Sequence, residues 1–338
     1  MDTNIGKIIK KRYEILEKLS VESFSQIYLS QDIKLNRQVI LKILSPKTFL
    51  NKKTEEIFRN EIEITSQLRH RYIVNLYDYF TFENKWCLVL QYIKATTMRE
   101  LLNRGEKFNE EKIKKIFLQI LEALQFAEQK KIVHRDLKPE NIFINQNNQV
   151  KIFDFGISVD HFFSSNVFSS KPVGSAKYIA PEIIVDQKIT TQSDIYAIGI
   201  MLYEILIGQV PYFNDDNKVI MKKHLYEKMI PARQYDSKIS QQMENIIIRA
   251  TAKNLDERYS NTQSIIDDFK KLGTDLKVKP VILKNDFYKN FINSSEDNLH
   301  LKEDRQSFFW LKTPFLSFLF FLSFIILIIF IILNITQI

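Results

Sequence analysis

The sequence predicts an α+β chain with a β-rich first part, a mainly helical second part and one apolar C-terminal helix. Three observations carry that reading. Residues 26–29, 38–43 and 86–93 are short runs rich in β-branched and aromatic side chains, the length and composition of strands. One segment of helical spacing, at about 54–68, interrupts them. From Met98 onward, residues 112–127, 194–207 and 243–252 place apolar side chains at the three-and-four spacing of helices. Residues 315–333 then run for nineteen positions without a charge, broken only by Ser317 and Ser323. At about 1.5 Å per residue, a helix of that length is close to the ~30 Å of a bilayer core.

These elements divide the 338 residues into a first lobe at 13–92, a second lobe at 93–272, a tether at 273–313 and a transmembrane helix at 314–335. The tether reading rests on mixed charge and polar stretches such as Asn293-Ser294-Ser295-Glu296-Asp297-Asn298. Phe308, Phe309, Trp310 and Lys312 stand at the entrance of the apolar run and no Lys or Arg follows it, the pattern of a cytosolic interface. A helix apolar on every face could instead be a buried core helix, but nothing follows that would cover it. The first residues carry charges where a signal peptide needs an apolar stretch. The expectation is a single-pass tail anchor with the folded lobes on the cytoplasmic side.

Composition excludes several classes. With 45% hydrophobic and 26% charged residues, the chain is neither disordered nor collagen-like. A lone cysteine, Cys87, excludes an intramolecular disulfide framework and a cysteine zinc cluster. The net charge of +8 comes from 48 basic and 40 acidic residues with no basic run longer than Lys10-Lys11-Arg12, so no nucleic-acid partner is expected. Only seven glycines occur, which makes the position of each informative.

The decisive stretch is His134-Arg135-Asp136-Leu137-Lys138-Pro139-Glu140-Asn141, followed by Asp154-Phe155-Gly156 and by Ala180-Pro181-Glu182. On these blocks, in this order, residues 13–272 resemble the eukaryotic-like serine/threonine protein kinases. The resemblance implies a bilobal protein-kinase fold, a β-rich lobe over a helical lobe, with ATP between them, Mg²⁺ on its phosphates and protein Ser or Thr hydroxyls as acceptors. It assigns Asp136 to the acceptor hydroxyl and Lys138 to the transferring phosphate. Lys42 would hold the α and β phosphates, and Glu61 would orient Lys42 through an ion pair. Asp154 and Asn141 would be the metal ligands, hard oxygen donors suited to Mg²⁺. Leu19, Ile27, Gln91 and Ile93 would border the nucleotide, with Leu90 guarding the back of the adenine pocket.

Further roles follow from the same resemblance. Arg135 would receive a phosphorylated loop, for which Ser164, Ser165, Ser169 and Ser170 are candidates. Glu182 with Arg258 would tie that loop to the helical lobe, and Asp194 would brace the catalytic loop. Cys87 is read as a small buried apolar side chain. Membrane anchoring would concentrate the chain with membrane-associated substrates, favour autophosphorylation and bring neighbouring copies together in self-association.

One block departs from the family. Where the phosphate-covering loop has three glycines, this chain reads Ser20-Val21-Glu22-Ser23-Phe24-Ser25-Gln26-Ile27. Glycine lets the backbone approach phosphate closely, and a carboxylate at position 22 would repel it. Two rival classes therefore stand beside the kinase: a catalytically silent pseudokinase scaffold, and a kinase for small molecules. Gly156, Gly174, Gly199 and Gly208 occupy positions where the family has glycine, which favours a working kinase over decay. Lys138, the Ala180-Pro181-Glu182 block and Arg258 favour a protein substrate.

Overall fold

The computed structural model describes residues 4–21, 25–44, 52–155, 174–274 and 278–283. Glu22, the four loop serines, Gly156 and residues 314–335 lie outside the described residues, as does the side chain of Glu61. Among the described residues, no helix is long and apolar enough to cross a membrane.

The first lobe is an antiparallel sheet of β1 (Ile8–Ile9), β2 (Tyr13–Val21), β3 (Ser25–Asp32), β4 (Arg37–Leu44), β5 (Leu76–Phe82) and β6 (Lys85–Gln91). The order is β1-β2-β3-β4-β6-β5. Period-two alternation decides what faces where. Val39, Leu41 and Ile43 pack with Tyr13, Tyr28, Cys87 and Val89 on one face. The intervening Lys42 and Leu44 are turned to the other face, where Leu44 and Leu88 pack against Phe58 and Ile62 of α1 (Lys52–Thr65).

Helix α1 stops at Thr65, short of the expected residue 68. Leu68 prolonged the apolar spacing for a different reason: it is buried in the core of the second lobe. Strand β6 likewise ends at Gln91 and not at Ile93. There the Gln91 amide donates to the Asn75 carbonyl at 2.9 Å, and its side-chain oxygen accepts from Asn75 Nδ2 at 3.2 Å.

The second lobe contains α2 (Met98–Asn103), α3 (Glu110–Gln129), α4 (Pro181–Asp186), α5 (Thr191–Ile207), α6 (Asn217–Tyr226), α7 (Ala232–Tyr235), α8 (Gln241–Ala250) and α9 (Thr262–Lys271). A small sheet of β7 (Thr96–Thr97), β8 (Ile142–Ile144) and β9 (Val150–Ile152) joins them. Helix α3 begins where Asn109 accepts from the Lys112 amide at 2.8 Å, with Glu110 and Glu111 in its first turn, where acidic groups suit the helix dipole. It buries Ile113, Ile116, Phe117, Ile120 and Leu124, one stripe at helical spacing. Helix α5 is buried almost all round, from Ser193 to Ile205, and so forms the centre of the lobe. It ends at Gly208, whose φ of 85° is left-handed and suits glycine. Beyond α9, Asn245 of α8 holds the chain by donating to the Lys279 carbonyl at 2.8 Å and accepting from the Val281 amide at 2.9 Å.

Helices α5 and α8 approach closely at Gly199. A Cβ there would meet Thr251 Cγ2 at 2.6 Å and Ala250 Cβ at 2.9 Å. Gly199→Ala is expected to lower stability by about 1–3 kcal/mol in denaturant unfolding. Thr251→Ser removes the nearer carbon and keeps the hydroxyl that donates to the Ile247 carbonyl at 2.8 Å, so it should recover part of the loss. An unchanged midpoint for Gly199→Ala contradicts the close approach.

Candidate active site

The two lobes meet where residues 72–74 extend β9. The Ile152 amide donates to the Tyr72 carbonyl and the Val74 amide to the Ile152 carbonyl, both at 2.8 Å. Two residues beyond β9 comes Asp154, in a left-handed backbone conformation with φ of 60°. A side chain other than glycine held there marks a position that the surroundings over-determine. The result is that Lys42 Nζ lies 3.2 and 3.3 Å from the two Asp154 oxygens. Lys42 is 6% exposed, so its ammonium has exchanged water for this carboxylate.

A second constellation forms within one loop. Lys138 Nζ donates to Asp136 Oδ2 at 2.6 Å. Asn141 Nδ2 donates to the Asp136 carbonyl at 2.7 Å and to Asp136 Oδ2 at 3.2 Å. Asn141 closes a 3-10 turn, Pro139–Asn141, directly before β8. Ile142 pairs with Ile152 across the β8–β9 ladder, and the Phe153 amide donates to the Asn141 carbonyl at 3.1 Å. That ladder fixes Asn141 beside the strand that leads into Asp154. Since the Asn141 amide nitrogen is engaged with Asp136, its oxygen is the end turned away from that residue. A carboxylate and an amide oxygen are the donor set a hard divalent cation takes, so the residues fit the expected Mg²⁺.

The loop is braced from below by groups out of water. Asp194 of α5 accepts from the His134 amide at 2.8 Å and from the Arg135 amide at 3.0 Å. Arg135 has φ of 76°, and these two bonds help hold it there. Burial pushes the Asp194 carboxyl up to about 7, against the pull of both amides. His134 is fully buried; burial holds its imidazole down to about 4, so the ring is neutral at pH 7. Its Nε2 faces the Phe153 carbonyl at 3.0 Å and its Nδ1 the Asp136 amide at 3.4 Å. A carbonyl only accepts and an amide only donates, which assigns the proton to Nε2. The ring packs on Phe155, centroids 4.6 Å apart. His134 therefore links both constellations, a role the sequence reading did not assign; its place at the head of the motif was the only available signal.

Of the positions expected to border the nucleotide, Leu19, Ile27 and Gln91 lie on the sheet and Ile93 follows it. Ile27 of β3 and Leu88 of β6 stand opposite Lys42 in the ladders, and directly opposed residues share a face. Leu19 is exposed near the end of β2, whereas Gln91 and Ile93 are half-buried past Leu90. A narrow recess lined by Leu68, Leu76, Leu88, Leu90 and Phe155 reaches Asp154 from the apolar side. Glu61 lies on α1, with its side chain outside the described positions. Cys87 is buried, and its thiol is pushed up to about 12 by desolvation, so it is no nucleophile at neutral pH.

The second lobe also carries a buried pair. Arg258 donates to both Glu182 oxygens, at 2.8 and 3.0 Å, and to the carbonyls of Ala252 and Gln192, both at 2.9 Å. Ser193 Oγ donates to Glu182 Oε1 at 2.7 Å. The pair ties the start of α4 to the rest of the lobe, with every contact a satisfied one.

The protein kinase domain family matches residues 13–269. The chain belongs to the protein kinase family. Serine/threonine-protein kinase PrkC of Bacillus subtilis is 34% identical over 266 residues, covering 79% of this chain and 41% of that protein. Probable serine/threonine-protein kinase PknB of Lactococcus lactis is 30% identical over 316 residues, covering 87% of this chain and 50% of that protein. Thus the chain spans at most half the length of these curated relatives. Its fold is similar to the crystal structure of the Mycobacterium tuberculosis PknI kinase domain, with a TM-score of 0.63 at 19% identity, covering 80% of this chain and 99% of that one.

Behind the Glu182–Arg258 pair lies a buried cation with no carboxylate in ion-pair contact among the described residues. Lys253 Nζ donates to Tyr212 Oη at 2.9 Å, Tyr196 Oη at 3.3 Å and the His224 carbonyl at 2.5 Å. Desolvation, joined by the charge of Arg258, pulls this ammonium down to about 7 from 10.5. Between pH 7 and 10.5 the unfolded chain holds a proton that the folded one has released, so stability from this group rises with pH. Urea unfolding should therefore show the wild type gaining a few kcal/mol on Lys253→Met between pH 7 and 10. A difference independent of pH contradicts the burial of this ammonium.

Proposed function

We propose that the chain is a serine/threonine protein kinase that moves the γ-phosphate of ATP to Ser or Thr hydroxyls of proteins, itself included. The observation that carries this reading is the meeting of Lys42 with Asp154 beside a loop in which Asp136, Lys138 and Asn141 already touch. Phosphoryl transfer asks a protein for positioning and charge rather than covalent chemistry. Asp136 holds the acceptor hydroxyl in line and takes its proton. Lys138, within reach of that same carboxylate oxygen, neutralises charge on the phosphate in flight. Lys42 supplies the cation for the α and β phosphates. Asp154 and Asn141 would hold Mg²⁺, which would supply neutralisation of the phosphate charge. The Asp194 and His134 hydrogen bonds set the geometry before substrate arrives. The curated relatives' names, serine/threonine-protein kinases, support the choice of acceptor.

The same reading includes a membrane. Residues 314–335 anchor the chain, with the kinase domain on the cytoplasmic side, where its substrates and neighbouring copies of itself would be concentrated. A second reading, a silent scaffold in the same place, is favoured by one feature: Ser20, Glu22 and Ser25 stand where the family has glycine.

A transfer assay with radiolabelled ATP separates these readings. Asp136→Asn should abolish labelling of protein substrate, and Glu22→Gly should increase it several-fold by removing a carboxylate from the stretch that covers the phosphates in the family. Binding of Mg-ATP by thermal shift without any transfer would support the scaffold instead, and exclusive labelling of small molecules would reverse the choice of substrate. For the anchor, the full chain should float with phosphatidylcholine vesicles and a chain ending at residue 313 should not; equal flotation removes residues 314–335 from that role.

A further inference from the structure

A polar network outside the constellations above surrounds Arg99 of α2. Its Nε donates to Glu140 Oε1 at 2.8 Å, its Nη1 to Glu204 Oε1 at 2.7 Å and its Nη2 to Glu204 Oε2 at 3.2 Å, and Nη2 also meets the Tyr178 hydroxyl. That hydroxyl donates in turn to Glu204 Oε2 at 2.5 Å. Three separate elements converge on one guanidinium. Glu140 belongs to the Pro139–Asn141 turn, four residues after Asp136 and two after Lys138. Tyr178 closes the Gly174–Tyr178 turn, and Glu204 comes from the buried α5.

The recess is built rather than incidental. Glu204 is 7% exposed, so its charge depends on the fork of Arg99 and on Tyr178. The Glu140 side chain is 42% exposed, while its second oxygen is itself buried and has no hydrogen-bond donor among the described residues. Two carboxylates and a hydroxyl spaced for a planar five-donor cation would suit an arginine of a peptide as well as one of the chain. With Arg99 in place, that position is taken.

We propose that Arg99 is a specificity-determining residue, the internal occupant of a guanidinium-shaped acidic recess beside the catalytic loop, which keeps the enzyme from selecting basic residues near the acceptor hydroxyl. This rests on the reading of the chain as a protein kinase, because a peptide whose hydroxyl reaches Asp136 runs past Glu140 on the same loop. Emptying the recess turns it into a site for a substrate arginine.

The test compares wild type with Arg99→Ala in the full chain, on two peptides that differ only by Arg or Ala near the acceptor. The wild type should label both at similar kcat/KM. Arg99→Ala should favour the arginine peptide about tenfold, mainly through KM. Arg99→Ala/Glu204→Gln, with one carboxylate neutralised, should lose most of that preference. An Arg99→Ala enzyme that keeps the wild-type ratio overturns the proposal, as does a wild type that already prefers the arginine peptide. A second arm needs no catalysis: ethylguanidinium chloride should raise the melting temperature of Arg99→Ala beyond an equal concentration of NaCl, and should leave the wild type unmoved. If the wild type transfers no phosphate, the kinase reading fails, and equal ethylguanidinium shifts in both proteins then reject the recess separately. Should Arg99→Ala be isolated unfolded, Arg99→Gln keeps the stem and carries the same comparisons.

Discussion

The contact between Lys42 and Asp154 joins two residues 112 positions apart, and it is the constraint on which the rest of the site depends. Lys42 is fixed by the register of β4 between β3 and β6, which turns it away from the Cys87 face of the sheet. Asp154 is fixed by β9, by the bonds from β9 to residues 72–74 and by a left-handed backbone. Neither residue would have reason to face the other in an isolated lobe. A like-charged or missing residue at 154 would raise the cost of keeping this ammonium out of water, so the fold and the polarity of the cleft stand together.

Below that contact the molecule follows a single rule: charges removed from water are given partners before any substrate is present. Asp194 has two backbone amides, Glu182 has Arg258 and Ser193, and Glu204 has Arg99 and Tyr178. The first and last of these tie the His134–Asn141 loop to helix α5, and the second ties α4 to the start of α5. Because α5 is buried nearly all round, the loops inherit the rigidity of the core, which is what positioning catalysis requires. His134 extends the same rule to a neutral group, donating to one constellation and accepting from the other.

Much of this was legible in the sequence, and the reason is spacing. The His134–Asn141 stretch is so short that its members must meet, as the bonds among Asp136, Lys138 and Asn141 illustrate. Apolar periodicity located β3, β4, β6, α1, α3, α5 and α8. It overran α1 because Leu68 is apolar for the sake of the other lobe, and periodicity cannot say which core a side chain enters. It also missed Arg99, which is separated from Glu204 by 105 residues and from Tyr178 by 79; no local pattern marks a contact of that range. The pinning of residues 279–281 by Asn245 was equally invisible, since a polar stretch reads as a tether whether or not one side chain holds it.

The proposed function makes its hardest demand of the stretch from Ser20 to Ser25, where Ser20, Glu22 and Ser25 stand in place of the family's glycines and a polyanion would still have to approach Lys42. Mg-ATP affinity tests this directly. Calorimetric titration of the full chain with ATP, with and without Mg²⁺, and of Asp154→Asn in parallel, should show that Mg²⁺ strengthens binding to the wild type about tenfold or more and changes the variant little. Equal affinity with and without Mg²⁺ in the wild type, or no binding at all, would contradict a cleft in which Lys42 and Asp154 together receive a metal-bound nucleotide.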